Sequence, residues 1–199
     1  MKKSICIILL ILIADQALKI WVKTNMYLGQ EYQVFDWFYI HFTENNGMAF
    51  GMEFGGRWGK LALSIFRIVF VGFMISYLRK LVKKNADGIV IICLSLILAG
   101  ALGNIIDGVL YGHIFSESFR QIASFLPAQG GYSSFFFGQV VDMFYFPLFK
   151  GYFPEWIPYF GGDYFVFFRP VFNIADSAIT IGVGTMVFFQ KRVMKELEA

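Results

Sequence analysis

The chain has 199 residues, of which 57% are hydrophobic and 20% aromatic, with mean hydropathy +0.60 and net charge +3. Globular chains are nearer 45–50% apolar, so this composition excludes an ordinary water-soluble domain. A charge of +3 spread over this length is no nucleic-acid-binding signature, and the placement of the charges is more informative than their sum.

The apolar residues concentrate in four runs, about 5–22, 61–78, 89–106 and 170–189. Each is close to the ~20 residues that a membrane helix needs. Lys2 and Lys3 precede the first run, Arg79, Lys80, Lys83 and Lys84 follow the second, and Lys191, Arg192 and Lys195 follow the fourth. The positive-inside rule makes those places cytoplasmic. The expectation is a mainly α membrane protein, one domain over 1–199, with four transmembrane helices and both termini cytoplasmic. Two outer regions, 23–60 and 107–169, would form a small extracytoplasmic sheet and loop layer. The first run lacks a small residue where a signal-peptide cut after Ala14 needs one, so it is expected to remain as a span. Cys6 and Cys93 fall in spans and indicate no disulfide framework.

Along the first run, Asp15 and Lys19 form an i,i+4 pair of opposite charge. Residues 33–43 are rich in aromatic and β-branched side chains and predict one or two strands. Glu44-Asn45-Asn46-Gly47 predicts a turn, with residues 48–52 returning as a strand. Arg67 in the second run must face the bundle or lie outside the membrane. The third run ends with Gly100, Gly103, Asn104 and Asp107 on one face, small and polar residues suited to close helix contact. Residues 115–127 suggest a short amphipathic helix, and 135–146 a strand with Asp142 alone among apolar neighbours. The fourth run carries Asn173, Asp176, Ser177 and Thr180 on one stripe if it is helical from Pro170.

Helical rise sets the depths of these groups. Asp15 lies roughly 17 Å along its run, Asn104 about 22 Å and Asp107 about 27 Å, while Asp176 lies about 9 Å below the outer surface. All lie past the midplane of a ~30 Å core, on the outer side, where Asp142 can meet them from above. Carboxylates paired in such a place share a proton, which is the arrangement for splitting an amide with water. Neither Ser-His, Cys-His nor metal-ligand patterns compete with it. An alternative from another class is a small transporter or proton relay using Asp15, Asp107 and Asp176. It needs a polar path inward, and the inner halves of the runs offer no ionisable group.

The motifs resemble, in order, those of the lipoprotein signal peptidase (signal peptidase II) family of bacterial intramembrane aspartyl proteases. They are Asp15-Gln16 with Lys19, Asn46-Gly47-Met48-Ala49-Phe50, Gly100 through Asp107, Val140-Val141-Asp142, and Phe172 through Ile179. The resemblance implies an aspartic endopeptidase with no cofactor and no metal, cutting diacylglyceryl-prolipoproteins N-terminal to the lipidated cysteine. It implies Asp142 and Asp176 as the catalytic pair. Asn46, Gly47, Asn104 and Asn173 would position substrate, and Asp15, Lys19 and Asp107 would support the site. The partners implied are the substrate and membrane lipids, with no nucleic acid, and the form a monomer. The location implied is the bacterial inner membrane, multi-pass, with the site toward the outer leaflet. Gly108 departs from the family's usual Arg, so Asp107 is expected to find its partner in Arg120 or Arg169. Residues 113–138 and 147–169 are longer than the family pattern.

Overall fold

The computed structural model describes residues 1–47 and 56–198. Among the described residues, three helices are long and apolar enough to cross a membrane: α1 (Lys2–Asn25), α2 (Gly56–Lys83), and α3 (Gly88–Ile106) extended through a π-helical turn (Asp107–Tyr111) and α4 (Gly112–Ile114). α2 starts before and ends after the expected 61–78. Its face with Phe66, Val69, Phe70 and Phe73 is exposed, as a lipid-facing surface is. The opposite face buries Val71, Met74, Leu78 and Leu81 against Val90, Leu94 and Leu98 of α3.

The fourth expected span is shorter than its apolar run. The chain at Val171–Phe172 is a strand, β6, and the helix α5 runs only from Ile174 to Phe188. Those 15 residues are about 22 Å long, against a ~30 Å hydrocarbon core. The physical reason is that Val171 and Phe172 pair with Tyr145 and Phe144 of the strand Val140–Tyr145, which holds them extended until Asn173. Asn173 then caps the helix, its side chain accepting from Asp176 N while Asp176 reaches back to Asn173 N. α6 (Gln190–Glu198) follows and carries the terminal basic residues.

The outer layer is a four-stranded antiparallel sheet in the order β1 (Glu31–Phe35), β2 (Phe38–Asn45), β3 (Val140–Tyr145), β6. Residues 33–43 form two strands that turn at Asp36-Trp37, and β2 leaves the sheet in a second bend at Asn46-Gly47, within the expected 44–47. Stacking of Trp37 on Phe35 and Phe146 closes that tight corner. The expected returning strand at 48–52 lies outside the described residues. β2 pairs β3 with Thr43 opposite Asp142. Under the sheet, Val22 and Met26 of α1 pack with Phe42, Tyr111, Phe115, Val141 and Met143.

No helix forms over 115–127. Phe115 instead bridges Phe125, and Ser116 N bonds Ser124 O, because Phe115 is drawn into the core beneath the sheet. Of the strand expected over 135–146, only Val140–Tyr145 is regular, since 132–138 folds back on the π turn through Gly138 N to Gly108 O. Between β3 and β6 a second hairpin, β4 (Phe149–Tyr152) with β5 (Tyr164–Phe167), stands apart from the main sheet.

Candidate active site

The site forms where α3 and α5 meet beneath β3. Gly100 and Gly103 make that contact possible, because a Cβ on Gly103 would lie 2.7 Å from Asp15 Oδ2 and 3.1 Å from Ala175 Cβ. Small residues at such positions let helices approach until polar side chains can bond across.

Lys19 is the centre of the supporting network and is fully buried. Its ammonium contacts Asp15 Oδ2 at 2.9 Å, Asp107 Oδ2 at 2.8 Å and Asn104 Oδ1 at 2.9 Å. Three acceptors match its three N–H donors. Asp15 uses its other oxygen on Ala175 N, 2.9 Å away, and so ties α1 to the first turn of α5. Gln16 donates to Asp107 Oδ1 at 2.9 Å and accepts from the Tyr111 hydroxyl at 3.1 Å. Asp107 also accepts from Val141 N at 3.3 Å. Its partners are therefore Lys19, Gln16 and the β3 backbone. Arg120 and Arg169 are not among them: the first lies over the Phe119 ring and the second donates to Tyr164 O. These partners come from α1 and β3, not from the outer loop expected to supply them.

Asp142 and Asp176 approach from different layers. Asp142, only 4% exposed, comes from β3; Asp176, half-buried, comes from the first turn of α5. A single asparagine contacts both. Asn173 Nδ2 donates to Asp142 Oδ1 at 2.7 Å, and Asn173 Oδ1 accepts from Asp176 N at 2.8 Å. Asn104 Nδ2 donates to Asp176 Oδ1 at 2.8 Å, and Asn104 Oδ1 in turn faces Lys19. The amides of Asn104 and Asn173 are thus oriented by fixed donors, with Asn173 Nδ2 also 3.2 Å from Asn104 Oδ1. Burial pushes the Asp142 carboxyl up to about 7; the neighbouring Asp176 charge adds to this, while Asn45, Lys19 and Asn173 pull it down.

Two residues sit differently from the sequence expectation. Asn46 accepts from Lys60 Nζ at 2.7 Å, whereas Asn45 donates to Asp142 Oδ2. Asn45 was legible as a turn residue, but strand alternation could not be counted without the true hairpin corner. Gly47 N donates back to Asn45 Oδ1 at 2.5 Å, so the turn and the carboxylate share one amide. Among the described residues, no three His, Cys, Asp or Glu side chains gather as metal ligands would.

Residues 7–191 match the family described as Signal peptidase (SPase) II. A lipoprotein signal peptidase of Porphyromonas gingivalis is 58% identical over 192 residues, covering 96% of this chain and 84% of its own length. One from Amoebophilus asiaticus is 39% identical over 194 residues, covering 96% and 78%. A solved structure described as a bacterial membrane enzyme, obtained by the in meso method at 2.3 Å resolution, superposes with a TM-score of 0.62. It is 27% identical and covers 97% of this chain and 90% of its own.

Proposed function

The chain belongs to the signal peptidase II family, and we propose that Asp142 and Asp176 are the carboxylate pair with which it works. It is an aspartic peptidase that removes signal peptides from prolipoproteins, and the transporter alternative is set aside. The observation that carries the assignment of the pair is Asn173, which holds one carboxylate with its amide nitrogen and the backbone of the other with its oxygen.

In this reading Asp142, buried and pushed up to about 7, carries the proton of the resting pair. Asp176 takes a proton from water as the oxygen attacks the scissile carbonyl. Asp142 gives its proton to the carbonyl oxygen. The tetrahedral intermediate then collapses as Asp176 passes the proton it took from water to the leaving amine and a hydroxyl of the intermediate returns a proton to Asp142. The C–N bond breaks, the carboxylic acid forms and the pair is restored. Asn104 and Asn173 orient the carboxylates, Asn46 and Gly47 stand where substrate backbone passes, and Asp15, Lys19 and Asp107 brace the helices behind. Preorganised amides and a buried ammonium do this without reorganising during the reaction.

The substrate carries diacylglycerol on the cysteine that follows the cut. The lipid holds the scissile bond at outer-leaflet depth, where the pair lies if both termini are cytoplasmic and α5 completes a four-helix crossing. The clusters of Lys and Arg after α2 and in α6 support that orientation in the bacterial inner membrane. The chain acts as one domain over 1–199 and as a monomer. Purified protein is expected to cut a diacylglyceryl prolipoprotein peptide immediately before the modified cysteine. Mass spectrometry of the products checks this, and cleavage at another bond or of the unlipidated peptide equally well would refute it.

A further inference from the structure

α2 brings an arginine to the same site from a helix that otherwise packs on α3. Arg67 is half-buried, and its Nη2 donates to Gly47 O. Gly47 N donates to Asn45 Oδ1, and Asn45 Nδ2 donates to Asp142 Oδ2. Three links therefore run from a guanidinium on a membrane helix to a carboxylate of the pair. The turn is shaped for this contact. Gly47 has φ +85, a conformation that favours glycine, and a Cβ there would lie 2.6 Å from Arg67 Nη1.

An arginine on a membrane helix is costly and is retained where it serves a polar interior. Among the described residues, the ion pairs include none to Arg67. A charge-assisted bond to the Gly47 carbonyl and the nearby Asp176 charge are what offset its burial. We propose that Arg67 is a positioning residue that clamps the Asn45–Gly47 turn and so keeps the Asn45 amide on Asp142. This rests on the assignment of Asp142 and Asp176 as the catalytic pair.

The consequence is a pH signature. A donor on a carboxylate favours its ionised form, so losing Asn45 from Asp142 leaves Asp142 protonated to higher pH. The other charges facing the pair are Lys19 of α1 and Arg67 itself, which stands near Asp176, with Asp15 and Asp107 one layer behind. Asn45→Ser and Gly47→Ala keep every one of these charges, so their shifts report the clamp apart from the loss of the guanidinium.

The test is kcat and KM against pH for cleavage of a diacylglyceryl prolipoprotein peptide by the full chain in detergent. Arg67→Gln and Asn45→Ser are each expected to move the alkaline limb up by about half a unit. They should lower kcat about ten-fold, while KM, through Asn46 and Gly47 of the same turn, should rise less, by about three-fold. The double variant Asn45→Ser with Gly47→Ala, which keeps the Arg67 charge, should shift no further than either single, and Arg67→Lys should recover most of kcat. Gly47→Ala attacks the clamp from the other side and should reproduce the shift, which decides the matter if Arg67→Gln does not fold. A parent-like limb in a folded Arg67→Gln or Gly47→Ala variant, or additive shifts in the double, overturns the clamp. Activity surviving in Asp142→Asn or Asp176→Asn, run in the same assay, overturns the pair instead.

Discussion

Two regions of this chain are built on opposite terms. Behind the site, α1, α3, the π turn and α5 place Asp15, Lys19, Asn104, Asp107 and Asn173 in one buried network, all but Asn104 with side chains at most about 1% exposed. The β4–β5 hairpin, inserted between β3 and β6, leaves Trp156 80% and Tyr159 98% exposed. Its contacts are mostly its own, such as Tyr152 on Tyr164 and Phe153 on Phe165. Both regions connect to the pair, since the hairpin separates Asp142 from Asp176 in the chain. The difference teaches where precision is needed. Removing one buried charge strands its partners in a low-dielectric interior, whereas an exposed aromatic leaves nothing stranded.

The sharpest break of that comparison is within the network. Asp142→Asn and Asp176→Asn should each lower turnover of the lipidated peptide by at least the ~10²–10⁴-fold of one acid–base group. The double variant should be little worse than either single, because the two act as a unit. Detergent melting should show that all three remain folded. Near-normal turnover in either single variant would end the pair assignment.

Lys19→Met should be destabilised by about 3–5 kcal/mol, the cost of breaking a buried charged group. Here two carboxylates lose their shared cation. Chemical denaturation in mixed micelles measures this; a loss under about 1 kcal/mol would mean that Asp15 and Asp107 are satisfied without it.

The pH dependence of stability separates Asp142 from the network behind it. Its folded value of about 7 exceeds the ordinary ~3.9, so between those values the folded state holds a proton that the unfolded state has released. The group therefore costs nothing below about pH 4, and its penalty grows to pH 7 and stays constant above. Asp142→Asn should raise stability above pH 7, on the order of 4 kcal/mol at most, and match the parent below pH 4. Melting curves at pH 4 and pH 8 check the sign.

The smallest effects are expected in the hairpin. Trp156→Ser and Tyr159→Ser should each change stability by no more than about 0.5 kcal/mol, as exposed positions do. Turnover in detergent should stay within about two-fold of the parent. A large loss of turnover in detergent would place the hairpin with the site and dissolve the contrast.

Three long spans, their approximate limits and the isolated polar residues that need partners follow from the sequence alone. Runs of apolar side chains have few ways to be buried, and isolated Asp and Lys within them need partners. Asp142 and Asp176 were legible for the same reason, standing alone among apolar neighbours. Only the tertiary structure decided how they are held. Whether Val171–Phe172 continues α5 or joins the sheet depends on β3 offering its edge, which no local propensity encodes. That pairing turns Asn173 from a helix-face residue into the cap that joins the two carboxylates. Likewise the register shift of β2 against β3 between Ile40 and Thr43 sets Thr43 opposite Asp142 and brings Asn45 to that carboxylate, because a one-residue slip in a strand reverses which face a side chain takes. The partner of Asp107 was open for a similar reason: Lys19 is 88 positions away in the chain, and only the close α1–α3 packing, permitted by Gly103, puts its ammonium 2.8 Å from that carboxylate.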